Sequence, residues 1–126
     1  GWGAGRMTYD WHRPDLPHSA QRTQIALLAS HQDQVFELPP GATLVASSDF
    51  CPVAAFTVGQ EVFCIQPHPE FEEAVSAYLM DKRRDLLGEE KYSAASASLQ
   101  HGHEGEHIAR MVVAFLEGPA ALSAAV

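Results

Sequence analysis

Positive charge, cysteine and long apolar runs are all scarce in this chain of 126 residues, and each shortage removes a class of function. Eight lysines and arginines stand against sixteen aspartates and glutamates, a formal net charge of −8. A surface of that sign repels phosphate backbones, which argues against a nucleic-acid partner. Lys82, Arg83 and Arg84 form a small basic cluster, and its place near the end of a predicted helix suits complementing the helix dipole. Two cysteines, Cys51 and Cys64, are too few for a disulfide framework and read as free thiols of a cytoplasmic protein. No apolar run approaches the length of a membrane-spanning helix and no signal peptide is visible, so no membrane partner is expected. An initiating methionine is missing too. The chain opens on GWGAGRMTYDW, already strand-like, as expected of a processed chain or a piece of something longer.

What is present is ordinary for a globular domain: 46% hydrophobic and 19% charged residues, enough for one core over residues 1–126. Apolar runs at 1–11, 24–31, 43–48, 53–58 and 61–66 read as short strands. Gly59-Gln60 between the last two suits a two-residue hairpin, so the middle of the chain reads as an antiparallel meander. After Pro69 the period changes. Phe71, Ala74, Val75, Tyr78, Leu79 and Leu86 predict one helix stopped by Gly88. Ile108, Met111, Val112, Phe115 and Leu116 predict a second, ended at Gly118-Pro119. Residues 89–102, small and polar, are expected to form a surface connection. Strands closed by two helices give an α/β or α+β domain rather than a helix bundle.

Three groups of residues could carry chemistry. CIQPHPEF (64–71) ends a strand with a proline on each side of His68. Both prolines bias the preceding residue towards extended backbone and neither can donate to a ladder. In extended chain His68 and Glu70 face one side, where the carboxylate can fix one imidazole nitrogen and leave the other as a base. The plainer alternative makes Glu70 a first-turn helix residue and His68 a cap. HEGEH (103–107) satisfies H-E-x-x-H literally, but Gly105 weakens the helix that a zinc site needs and no third ligand follows, so no metal is expected. Cys51 and Cys64 lack a G-x-C-x-G setting and are read as buried or incidental thiols.

The run from Ser30 to Phe71 resembles the C-terminal half of class I glutamine amidotransferase domains of the GMP synthase type. The matching pieces are Ser30-His31-Gln32-Asp33-Gln34-Val35-Phe36-Glu37-Leu38-Pro39, then Ala46-Ser47-Ser48, then Gln66-Pro67-His68-Pro69-Glu70. The opening GWGAG resembles the strand that follows the family's nucleophile. The resemblance implies the C-terminal part of a flavodoxin-like α/β fold, with mixed or antiparallel strands followed by two helices. It implies a Cys-His-Glu triad acting on glutamine through a thioester, with His68 and Glu70 as the acid–base pair and Ser30 and His31 in the segment whose backbone holds substrate. No cofactor is implied. A synthetase domain or an N-terminal half is the implied partner, because the family's nucleophile segment has no counterpart in these residues. On this reading the chain alone is inactive, and its unpaired strands make it prone to aggregate. A non-catalytic remnant or interaction subunit is the alternative.

Overall fold

The computed structural model describes residues 1–124, with side chains through Gly118. Five strands form one antiparallel sheet: β1 (Gly3–Trp11), β2 (Gln24–His31), β3 (Ala42–Ser47), β4 (Ala55–Val58) and β5 (Val62–Ile65), in the order β2-β1-β3-β4-β5. β1 and β2 pair along their lengths, from Gly3 opposite His31 to Asp10 opposite Gln24. β3 to β5 form the expected meander. Its last turn holds three residues rather than two, since Val58 pairs with Val62, and Gly59 there takes a φ of 58°. A glycine accepts that left-handed conformation without a Cβ penalty.

The sheet is curled. Beyond β5 the chain crosses to the opposite edge, where the His68 N–H donates to the Leu28 carbonyl at 2.8 Å. Two residues along the same edge, Ala26 exchanges bonds with Glu104: its N–H donates to Oε1 at 3.0 Å and its carbonyl accepts from the Glu104 N–H at 2.8 Å. The outer edge of β2 is therefore partnered by segments that follow it in sequence, which removes a row of groups that would otherwise template association. The expected exposed edges do not apply to this strand.

The concave side holds the core. Tyr9, Trp11, Ile25, Leu27 and Val45 meet Ile108, Met111 and Phe115 of α4 (Gly105–Ala124). That helix turns the predicted Ile108, Met111, Val112 and Phe115 towards the core, whereas Leu116, expected on the same face, is exposed. Gly118, at a φ of 82°, breaks its helical geometry where the sequence predicts its end. The other helical segments are α1 (Glu73–Lys82), α2 (Arg84–Leu87) and α3 (Glu89–Ser98), followed by a short 3-10 turn. Two expectations change here. The single helix over 71–87 is split at Arg83, and its buried residues are Ser76 and Met80, whereas Val75, Tyr78 and Leu86 are exposed. Residues 89–98, expected as a connection, are helical. The cause is β1. At Gly5, with a φ of 72°, an added Cβ would lie 2.6 Å from the Ala95 carbonyl oxygen. A helix that packs on glycine backbone needs small residues on its inner face, so α3 shows no apolar stripe. Its alanines and glutamates still favour a helix.

Candidate functional site

His68 is held from three directions. Its N–H is tied to Leu28, its ring stacks on Phe71 with centroids 4.1 Å apart and planes within 6°, and Nδ1 lies 3.2 Å from Glu70 Oε2. A carboxylate only accepts, so this contact places the proton on Nδ1 and leaves Nε2 as the basic nitrogen. Nε2 has no hydrogen-bond partner among the described residues. Both side chains are open to solvent, at 34% for His68 and 64% for Glu70. The two prolines act as the sequence predicts: Gln66 donates its N–H to Ala54, and after it the ladder to β4 stops.

Ser30 and His31 end the strand that His68 bridges. Ser30 Oγ accepts from Arg83 Nη1 at 2.5 Å, and the Arg83 guanidinium lies 5.0 Å over the Trp2 ring. The His31 ring lies across Gly3, where an added Cβ would be 3.0 Å from two ring atoms, and against Phe50. Its Nδ1 donates to the Asp33 carbonyl at 3.0 Å, and its Nε2 is buried without a partner among the described residues. Burial holds its pKa below the ordinary histidine value. The Asp33 carbonyl pulls the other way, and the nearby charge of His68 lowers it further. His31 is therefore a neutral group beside a solvent-open His68–Glu70 pair.

Gln66 joins the two segments, a role the sequence does not announce. Its Nε2 donates to the Asp33 carbonyl at 3.1 Å, and its Oε1 accepts from the Val35 N–H at 2.9 Å. The Asp33 carbonyl thus receives bonds from both His31 and Gln66. The same Oε1 lies 3.8 Å from Cys51 Sγ. Cys51 is fully buried and burial pushes its thiol pKa up, which suits a packed thiol rather than a nucleophile. Cys64 is half-buried on β5, opposite Phe56.

With this geometry in view, the chain can be set against known proteins. No model of a known protein family matches it. Gamma-glutamyl peptidase 3 of Arabidopsis thaliana is 35% identical over 85 residues, which cover 67% of this chain and 34% of that protein. A glutamine-hydrolysing GMP synthase of Bordetella avium is 34% identical over 77 residues, 59% of this chain and 14% of that protein. A glutamine amidotransferase of known structure from Thermotoga maritima matches with a TM-score of 0.64 at 18% identity, covering 93% of this chain and 50% of that one. The chain is similar in sequence to these hydrolases, and its fold is that of a glutamine amidotransferase. It spans about a third of the length of the peptidase and half of the structural neighbour.

HEGEH has a different use in this amidotransferase-like chain. His103 precedes α4, and its Nδ1 accepts from the Gly105 N–H at 3.1 Å. Glu104 is occupied by Ala26 and by Arg22, 2.6 Å away. The His107 ring stands edge-on to His18 with centroids 6.5 Å apart. The two histidines of the pattern therefore do not share a helix face, and among the described residues no three metal-ligating side chains converge. Glu104 instead secures the edge of β2.

Proposed function

We propose that this chain is the acid–base half of a glutaminase acting on the γ-glutamyl amide bond, with glutamine as the leading substrate. The observation that carries the reading is the His68–Glu70 contact of 3.2 Å, which leaves Nε2 basic at the end of a proline-braced segment beside Ser30 and His31. In the proposed reaction a cysteine thiolate from outside these 126 residues attacks the γ-carbonyl carbon. A C–S bond forms, the C–N bond breaks, and protonated His68 Nε2 gives its proton to the departing ammonia. Neutral His68 then takes a proton from water, whose oxygen attacks the thioester; the C–S bond breaks, releasing glutamate and restoring the thiolate beside protonated His68. Glu70 orients the ring and stabilises its protonated form. The backbone at Ser30 and His31 holds the substrate. An ammonia-consuming synthetase is the proposed partner, in keeping with the GMP synthase named above. Two unpaired thiols suit a cytoplasmic setting.

The chain alone, incubated with glutamine, is expected to release no ammonia. Joined to a segment that carries a G-x-C-x-G cysteine, it is expected to turn over, and His68→Ala should then lower kcat by on the order of 10²- to 10⁴-fold. Ammonia release by the chain alone, abolished by Cys51→Ala or Cys64→Ala, would sink the proposal. A joined protein that folds without hydrolysing glutamine or a γ-glutamyl amide would instead favour a non-catalytic role.

A further inference from the structure

Four of the eight basic side chains have carboxylate partners: Arg13 with Asp15, Arg22 with Glu104, Arg84 with Glu89 and Arg110 with Glu106. Arg6, Lys82, Arg83 and Lys91 have none among the described residues, although acids outnumber bases two to one. Three of these four gather at one place. Arg6 and Lys91 line a cleft of about 260 Å³ between β1 and α3, and Arg83 lies against Trp2, which forms its wall. The lysine ammonium donates to the Trp2 carbonyl at 2.7 Å and stands 5.7 Å from the centre of the Phe50 ring. The Arg6 Nε is occupied by the Gly102 carbonyl at 2.8 Å, whereas its terminal nitrogens have no partner among the described residues. Apart from Ser98, whose hydroxyl accepts from the Arg6 N–H at 2.9 Å, the rest of the lining is apolar: Ala4, Met7, Ala94 and Ala95, with Trp2 and Phe50. Glu90, next to Lys91 in the chain, is exposed and does not line the cleft.

An acidic chain that leaves cations without carboxylates around an aromatic cleft has the makings of an anion site. We propose that this cleft binds a small organic anion, with a planar or apolar body against Trp2 and Phe50 and one carboxylate or phosphate between Lys91 and Arg6. The volume excludes anything much larger than a single substituted ring. Neither His68 nor Glu70 lines the cleft, although Phe50 also touches His31, and the proposal does not depend on the proposed reaction, so its test needs no turnover.

The probes are benzoate and phenyl phosphate, with benzamide as the uncharged counterpart, followed through the indole N–H signals of the two tryptophans. Trp11 is the internal control, because its Nε1 is held by the Arg13 carbonyl in the core. Saturable movement of the Trp2 signal is expected with at least one anion, with Kd on the order of 1 mM, weakening as salt is raised. Benzamide should bind at least about tenfold more weakly, and Lys91→Gln, at an exposed position that should not disturb folding, should weaken the anion about fivefold. Arg6→Gln tests the second cation. A preference for phenyl phosphate over benzoate would identify the head group as phosphate, and the reverse as carboxylate. Equal movement by benzamide, an unchanged affinity in Lys91→Gln, or no movement of Trp2 at 10 mM of either anion would each overturn the proposal.

Discussion

Besides the His68–Glu70 contact, backbone groups hold much of the candidate site. His31 donates to the Asp33 carbonyl, Gln66 brackets Asp33 and Val35, and the His68 amide is tied to Leu28. Gln66→Leu removes an acceptor and a donor at once and leaves the Val35 N–H and part of the Asp33 carbonyl unpaired. That should cost about 1–2 kcal/mol, read as a lower urea midpoint and faster hydrogen exchange at Val35, with Gln66→Glu rescuing the Val35 bond alone. His31 supplies a pH dependence. Its folded pKa lies below its unfolded one, so stability is full above the ordinary histidine value of 6.5 and declines as pH falls through the folded value. Urea unfolding at pH 7.5 and at pH 5.5 should show a loss in the wild type that is smaller in His31→Gln. An equal loss in both proteins would remove His31 from the account. His68, Glu70, Ser30 and His31 were all visible in the sequence, because prolines and a matched motif set them apart. The contribution of Gln66 was not, since an amide's partners are fixed by two loops that meet only in three dimensions.

Among the elements, β1 decides how the helices pack. Its Gly5 lets α3 approach until only small side chains fit, and this is why periodicity located α4 but passed over α3. α4 lies on a core of Tyr9, Ile25 and Leu27 and so carries an apolar stripe, whereas α3 buries Ala95 alone. The apolar face expected on α1 does not form either: Ser76 and Met80 turn inward and Tyr78 outward. Gly5→Ala should destabilise by more than Gly41→Ala. Both have positive φ, worth about 1–2 kcal/mol each, but an added Cβ meets nothing within 4 Å at Gly41 and meets the Ala95 carbonyl at Gly5. The difference between their unfolding free energies measures the close approach directly. If the two variants are equally stable, α3 does not depend on Gly5.

For the whole molecule, the curl of the sheet is the organising feature. The antiparallel meander could be read from alternation and turns, but closure onto β2 could not, because it depends on the accumulated twist of five strands. Glu104 takes part in that closure through Ala26 and Arg22. Glu104→Ala should lower stability by about 1–3 kcal/mol and, by uncovering the β2 edge, raise concentration-dependent association in sedimentation velocity. A variant that is destabilised yet stays monomeric at every concentration tested would assign the edge protection to His68 instead.

The bridge between Leu28 and His68 also ties chemistry to folding order. The two residues are forty positions apart and meet only when β1 to β5 are in place. Contacts of such sequence separation are slow to form, since loop closure precedes any gain from the contact. A nascent or partly unfolded chain therefore cannot present His68 beside Ser30 and His31. The imidazole should reach its place beside His31 late in folding, so that the candidate site assembles only in the folded protein.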